Sequence, residues 1–257
     1  MKGVMTFIMV ATALLAGQAN AQESVRFIAC PAYRDTDSGA KSGCWLATDP
    51  ATGTRWDVSQ SPYKPDWNFA VLVEGTTADP SAGQPCGAPV LDPVRTSRLQ
   101  THCAPRLLPA EGFSGRTFTL PARNTRPLTT TPAPPPGPVT DRTFSLFFEF
   151  DRSFTVYQYS DYLIDQAAQF IRATNPARLV ITGYAASTPE TVSGEVIAER
   201  ADVAQERAAM VALSLSRQFP DLSMETRAET DAQVTNHPDA DGIPGQSQRR
   251  VDIAVQF

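Results

Sequence analysis

Histidine is scarce in this chain, with two in 257 residues, and no cysteine pair stands at the C-x-x-C spacing of a zinc site. No G-x-S-x-G elbow, H-E-x-x-H helix or phosphate-binding glycine loop occurs, which removes the residues that the common hydrolases, metalloproteases and nucleotide-binding enzymes need. His102 adjoins a cysteine and His237 sits beside a proline in "HPDADG". That hexapeptide lacks the spaced ligands and terminal glutamate of a calcium loop and reads as a turn. A basic excess is also missing. With 27 Asp+Glu against 22 Lys+Arg, a nucleic-acid partner has no electrostatic support. Beyond Ala16 no apolar run reaches the roughly 18 to 20 residues of a spanning helix. The expectation is therefore no enzyme, no metal, no cofactor and no transmembrane segment in the mature chain.

What is present begins with a leader. Lys2 gives a positive start, Val4 to Ala16 is a short apolar run, and Ala19-Asn20-Ala21 is a small-x-small cleavage site, so residues 1–21 read as a secretory signal peptide. The four cysteines, Cys30, Cys44, Cys86 and Cys103, are even in number and precede the proline-rich region, as a disulfide framework in an oxidising compartment would have them. Four cysteines allow three connectivities. The favoured one is sequence-local, Cys30 with Cys44 and Cys86 with Cys103, closing loops of ~15 residues worth about 3 kcal/mol each in the chain-entropy model.

Residues 22–120 read as a small disulfide-bonded all-β domain, a barrel or sandwich. Short β-branched and aromatic runs ("SVRFIAC", "GCWLATD", "TRWDVSQ", "NFAVLVEG", "RTFTLPA") are separated by turn formers. Trp45, Trp56 and Trp67 are expected to fill its core, since aromatic burial dominates small domains. Residues 121–140 hold seven prolines and five threonines and no acidic residue. Proline at that density forces extended polyproline backbone, a semi-rigid spacer.

Residues 141–257 alternate strand and helix. "TFSLFFEFD" is a strand apolar on both faces, and Leu163, Ile164, Ala167 and Ile171 recur at helical spacing, with Ser160 placed to cap the helix and Asn175-Pro176 to end it. "ARLVITGYA" is a second buried strand, followed by a helix to about Gln218, a strand "LSMETRAET", and a closing strand from Arg249. The whole is α+β, its second half a β-α-β-α-β-β sandwich with helices on one side of the sheet.

"FFEFD", a strand ending on Gly183, the helix "QERAAMVALSL" and the closing "QRRVDI", in this order, resemble the OmpA-like domain, which holds bacterial envelope proteins to peptidoglycan. The resemblance covers about 143–257. It implies the periplasm and envelope of a Gram-negative bacterium, in association with the outer membrane, with peptidoglycan as partner and other envelope proteins as the alternative. It also implies a clamp of one carboxylate and one arginine on the diaminopimelate of the stem peptide. The arginine position falls on Arg207, with Arg200 as runner-up, and Gly183, Tyr184 and Ala186 line the pocket. The acid position itself is Ala186, which cannot pair with an ammonium. Glu190, Glu195, Glu199 or Asp202, in a segment longer than the family's, are the candidates to replace it. Arg249 and Arg250 are expected to be structural or rim residues.

Overall fold

The computed structural model describes residues 23–36, 43–110, 112–115, 133, 136–154 and 157–257. The leader, most of the proline-threonine segment and the strand expected in "RTFTLPA" lie outside them.

The first half is built of β1 (Ser24–Ala29), β2 (Ala32–Arg34), β3 (Cys44–Thr48), β4 (Arg55–Asp57), β5 (Phe69–Thr77), β6 (Leu91–His102) and β7 (Leu107–Leu108). They form an antiparallel sheet ordered β1-β5-β6 and a four-stranded sheet ordered β4-β3-β2-β7. Alternating apolar residues put Val25, Phe27, Val71, Val73 and Val94 of one sheet against Ala47 of the other, with Val58 and the half-buried Trp45 and Trp56 completing the layer. The arrangement is a sandwich. Trp67 departs from the expected core role. It is 38% exposed and rests edge-on against Tyr33, 5.8 Å between ring centres.

The disulfides join Cys30 to Cys103 and Cys44 to Cys86, which corrects the sequence-local pairing. Sheet order explains the first. β1 and β6 flank β5, each antiparallel to it, so they run in the same direction and their C-terminal ends lie together beside the start of β5. The cysteines that follow those two ends meet although 73 residues apart. Longer loops constrain the unfolded chain more, about 4 kcal/mol each instead of about 3.

The second half contains β8 (Arg142–Phe147), α1 (Tyr157–Thr174), β9 (Arg178–Tyr184), β10 (Glu190–Val192), β11 (Glu195–Ile197), α2 (Val203–Ser216), β12 (Ser223–Glu229), the short α3 (Pro244–Gln248) and β13 (Arg250–Gln256). The sheet order is β12-β9-β13-β8, with β12 parallel to β9 and β13 antiparallel to both its neighbours. Leu163, Ala167 and Ile171 of α1 and Ala208, Val211 and Leu215 of α2 pack on one face of this sheet, against Leu146, Leu179, Ile181, Val251 and Ile253. The α+β reading and the β-α-β-α-β-β order hold. α1 starts at Tyr157, so Ser160 lies inside it and is not its cap. Its end is as expected: Asn175 takes a left-handed φ of 48° and donates its N–H to the Ile171 carbonyl at 2.9 Å, ahead of Pro176.

The long segment before α2 forms the β10–β11 hairpin. Ser193 and Gly194, both at positive φ, make its two-residue turn. The hairpin reaches the first half. Ser193 Oγ accepts the Ile28 N–H at 3.0 Å, Glu190 takes the Arg26 guanidinium at 2.6 Å, and Val192 and Ile197 pack with Ile28, Ala70, Leu72, Leu99 and Phe150. The two halves thus share an apolar seam, where a spacer alone would have left them apart.

Candidate functional site

Gly183 is the penultimate residue of β9, where α2 crosses it. A Cβ there would stand 1.9 Å from the Ala204 carbonyl oxygen, so the absent side chain lets the helix lie directly on the strand. This close approach brings Arg207, one turn into α2, beneath the strand end. Arg207 is fully buried, as is its partner Glu199. Their bridge is bidentate, Nη2 to Oε1 at 2.6 Å and Nη1 to Oε2 at 3.0 Å. The guanidinium also donates Nε to the Arg152 carbonyl at 2.8 Å, Nη1 to that of Tyr184 at 2.7 Å and Nη2 to that of Glu149 at 3.1 Å. Every one of its five donors is engaged.

Glu199 is held as firmly. Oε1 accepts the Asp151 N–H at 2.7 Å and Oε2 that of Ala186 at 2.8 Å, while the Glu199 amide donates to the Ala186 carbonyl at 3.0 Å. Two amides and a forked guanidinium around one carboxylate satisfy all its strong acceptor positions, which makes burial of the pair tolerable. Of the four acids considered for the vacancy left by Ala186, only Glu199 faces Arg207. Glu190 pairs with Arg26, Glu195 is exposed, and Asp202 pairs with Arg200 on the surface. Arg200 spans Asp151, Asp202 and Glu206, an exposed cluster that cannot serve as the clamp arginine. Tyr184 contributes its carbonyl to Arg207, and its ring stacks under Arg250, 4.0 Å away. The expected ligand-binding quartet of Gly183, Tyr184, Ala186 and Arg207 is therefore brought together, with its charges spent internally.

A second set of charges lies in the seam. Glu74 of β5 is buried and pairs with Arg249, itself buried, and with Arg26 at 3.0 Å. Burial pushes the Glu74 carboxyl up, but Arg249 and Arg26 more than offset it and hold it below its ordinary range. Arg95 pairs with Asp241, Tyr63 donates to the Phe147 carbonyl at 3.3 Å, and Phe150 donates its N–H to Ser97 Oγ at 2.9 Å. Glu149, in the same seam, behaves differently. Burial raises it to about 7 against the opposing fields of Arg152, Arg98 and Arg249. Sequence reading missed Glu74 and Glu149. The signal for Glu74 was a lone acid in the apolar run "NFAVLVEG", since a charge in a buried strand needs a partner.

No protein-family model matches the sequence and no curated protein does. Among solved structures, the chain is similar to the OmpA-like domain of FopA1 from Francisella tularensis, at 22% identity over 45% of this chain and 71% of that one, with a TM-score of 0.33. It is also similar to the cell wall anchor of the T6SS from Pseudomonas aeruginosa, at 21% identity over 46% of this chain and 83% of that one, again with a TM-score of 0.33.

Proposed function

We propose that this is an exported protein of the Gram-negative envelope, a scaffold that binds other envelope proteins, with the peptidoglycan clamp of its OmpA-like half held shut by Glu199. Export rests on the leader and the two disulfides, which belong to an oxidising compartment. The observation that carries the reading is the Arg207–Glu199 bridge. A diaminopimelate carboxylate needs a free forked donor, and all five donors of this guanidinium already have acceptors inside the protein. Displacing Glu199 would strand a buried carboxylate, a cost of several kcal/mol that a small ligand must repay. The shared seam supports the same view, because the β half is docked on its neighbour and does not hang from a tether.

One observation favours a second reading. The guanidinium and the amides of Asp151 and Ala186 form a complete carboxylate receptor from three separate elements, and its occupant, Glu199, stands two residues after the β10–β11 hairpin. Withdrawal of that hairpin would leave the receptor open to peptidoglycan. Co-sedimentation with purified sacculi separates the two. The scaffold reading expects wild type, Glu199→Gln and Arg207→Ala to stay alike in the supernatant. Pelleting of the wild type that Arg207→Ala abolishes overturns it in favour of the wall, and pelleting of Glu199→Gln alone identifies the hairpin as a latch.

A further inference from the structure

A cleft of about 250 Å³ opens where the two halves meet, walled in part by the Phe150–Arg152 loop. Three elements form it: the end of β6 from Arg98 to Thr101, the loop after β8, and β11 with Ala198. The β6 wall is a break in strand pairing. Arg98 faces Val71 and His102 faces Phe69, so Leu99, Gln100 and Thr101 stand opposite the single residue Ala70. Bulges of this kind turn side chains and backbone away from the sheet and recur beside binding sites. Among the described residues β6 and β11 are each the outer strand of their sheets, and both border the opening.

The lining is chemically divided. Leu99, Phe150, Val196 and Ile197 make an apolar ledge, of which Val196 is 72% exposed. Arg98 and Arg152 supply two cations. The Arg98 guanidinium lies over the Phe69 ring at 4.2 Å and pairs with Asp66 at 3.6 Å, while its buried Nε has no acceptor among the described residues. Arg152 has no carboxylate within ion-pair distance among the described residues. Of the acids in the lining, Asp151 is taken up by Arg200 and Glu195 is at the exposed rim.

We propose that this cleft binds a small organic anion of amino-acid to dipeptide size, its carboxylate between Arg98 and Arg152 and its apolar part on the Leu99, Phe150 and Ile197 ledge. Two guanidinia suit a planar carboxylate, and the volume excludes drug-sized or polymeric ligands. Burial pushes Glu149, next to these arginines, up to about 7, so near neutral pH it carries only about half of a full charge against the two cations. The site uses the Arg98 and Arg152 side chains, not Arg207, although the loop that carries Arg152 also gives its backbone to the Arg207–Glu199 pair. Because its walls come from both halves, an occupant also strengthens their docking.

The test uses the full mature chain and three probes, N-acetyl-alanyl-alanine, its C-terminal amide and inorganic phosphate, read by calorimetry and by shift in melting temperature. The acid is expected to bind, the amide and phosphate at least ~10-fold more weakly, the equivalent of losing one charge-assisted pair. Arg98→Ala/Arg152→Ala should lose the acid by a similar factor. Ala198→Trp, an exposed rim change that leaves both cations in place, should block it as well, which guards against a charge variant that merely misfolds. Equal binding of acid and amide, phosphate binding as tightly as the acid, or no heat and no stabilisation with the acid at about 10 mM overturns the proposal.

Discussion

At the scale of single residues, the Arg207–Glu199 pair shows how a buried charge is tolerated without adding much stability. Taking two ions out of water costs several kcal/mol each, and their attraction together with the surrounding hydrogen bonds about offsets that cost. Breaking the pair from one side is another matter. Glu199→Ala leaves a fully buried guanidinium with three carbonyls and no anion and uncaps the amides of Asp151 and Ala186. The expected loss is about 3–5 kcal/mol in urea denaturation. Glu199→Ala combined with Arg207→Met should recover much of that loss, since the double variant strands no charge. A double variant as unstable as the sum of its parts would mean that the pair is a surface-like contact and not a coupled unit.

At the scale of elements, the strand-helix alternation of the second half was legible because its periods are clean: a buried apolar run in β9, strict alternation in β13, every third or fourth residue in α1 and α2. The tight packing at Gly183 was legible as a motif but not as a cause. The cause is that the α2 backbone occupies the space a side chain would need. Gly183→Ala should therefore lower stability by about 2 kcal/mol or more, because the atom it meets is a backbone carbonyl that cannot rotate away. A change under about 0.5 kcal/mol would show that the helix slides freely on the sheet. The β10–β11 hairpin was not legible. Its six strand residues carry no long alternation, and what fixes them is the edge of β1 and the apolar pocket of the seam. The cysteine pairing failed for the same reason. Sequence distance ranks the pairs one way, and sheet order, which no local pattern reveals, ranks them another.

At the scale of the whole molecule, the seam converts a two-domain sequence into one electrostatic unit, and its two unusual carboxyls oppose each other in pH. Glu74 is held below its ordinary range when folded, so its contribution is present above about pH 4.5 and fades as pH falls through the lower folded value. Glu149 is raised from 4.5 to about 7, so the folded form binds the extra proton and stability falls as pH rises across that window. The groups facing Glu149 are Arg152, Arg98 and Arg249, none of which changes charge there. A shift of this size corresponds to about 3 kcal/mol or slightly more between the two ends of the window. Stability is thus expected to peak in mildly acidic solution, near pH 5, and Glu149→Gln should flatten the decline toward pH 8 while leaving the acid limb unchanged. Chemical denaturation of both proteins at half-unit steps from pH 4 to pH 8 measures this directly. Parallel curves for wild type and Glu149→Gln across the upper window would show that the carboxyl is solvated and that the seam around it is open to water.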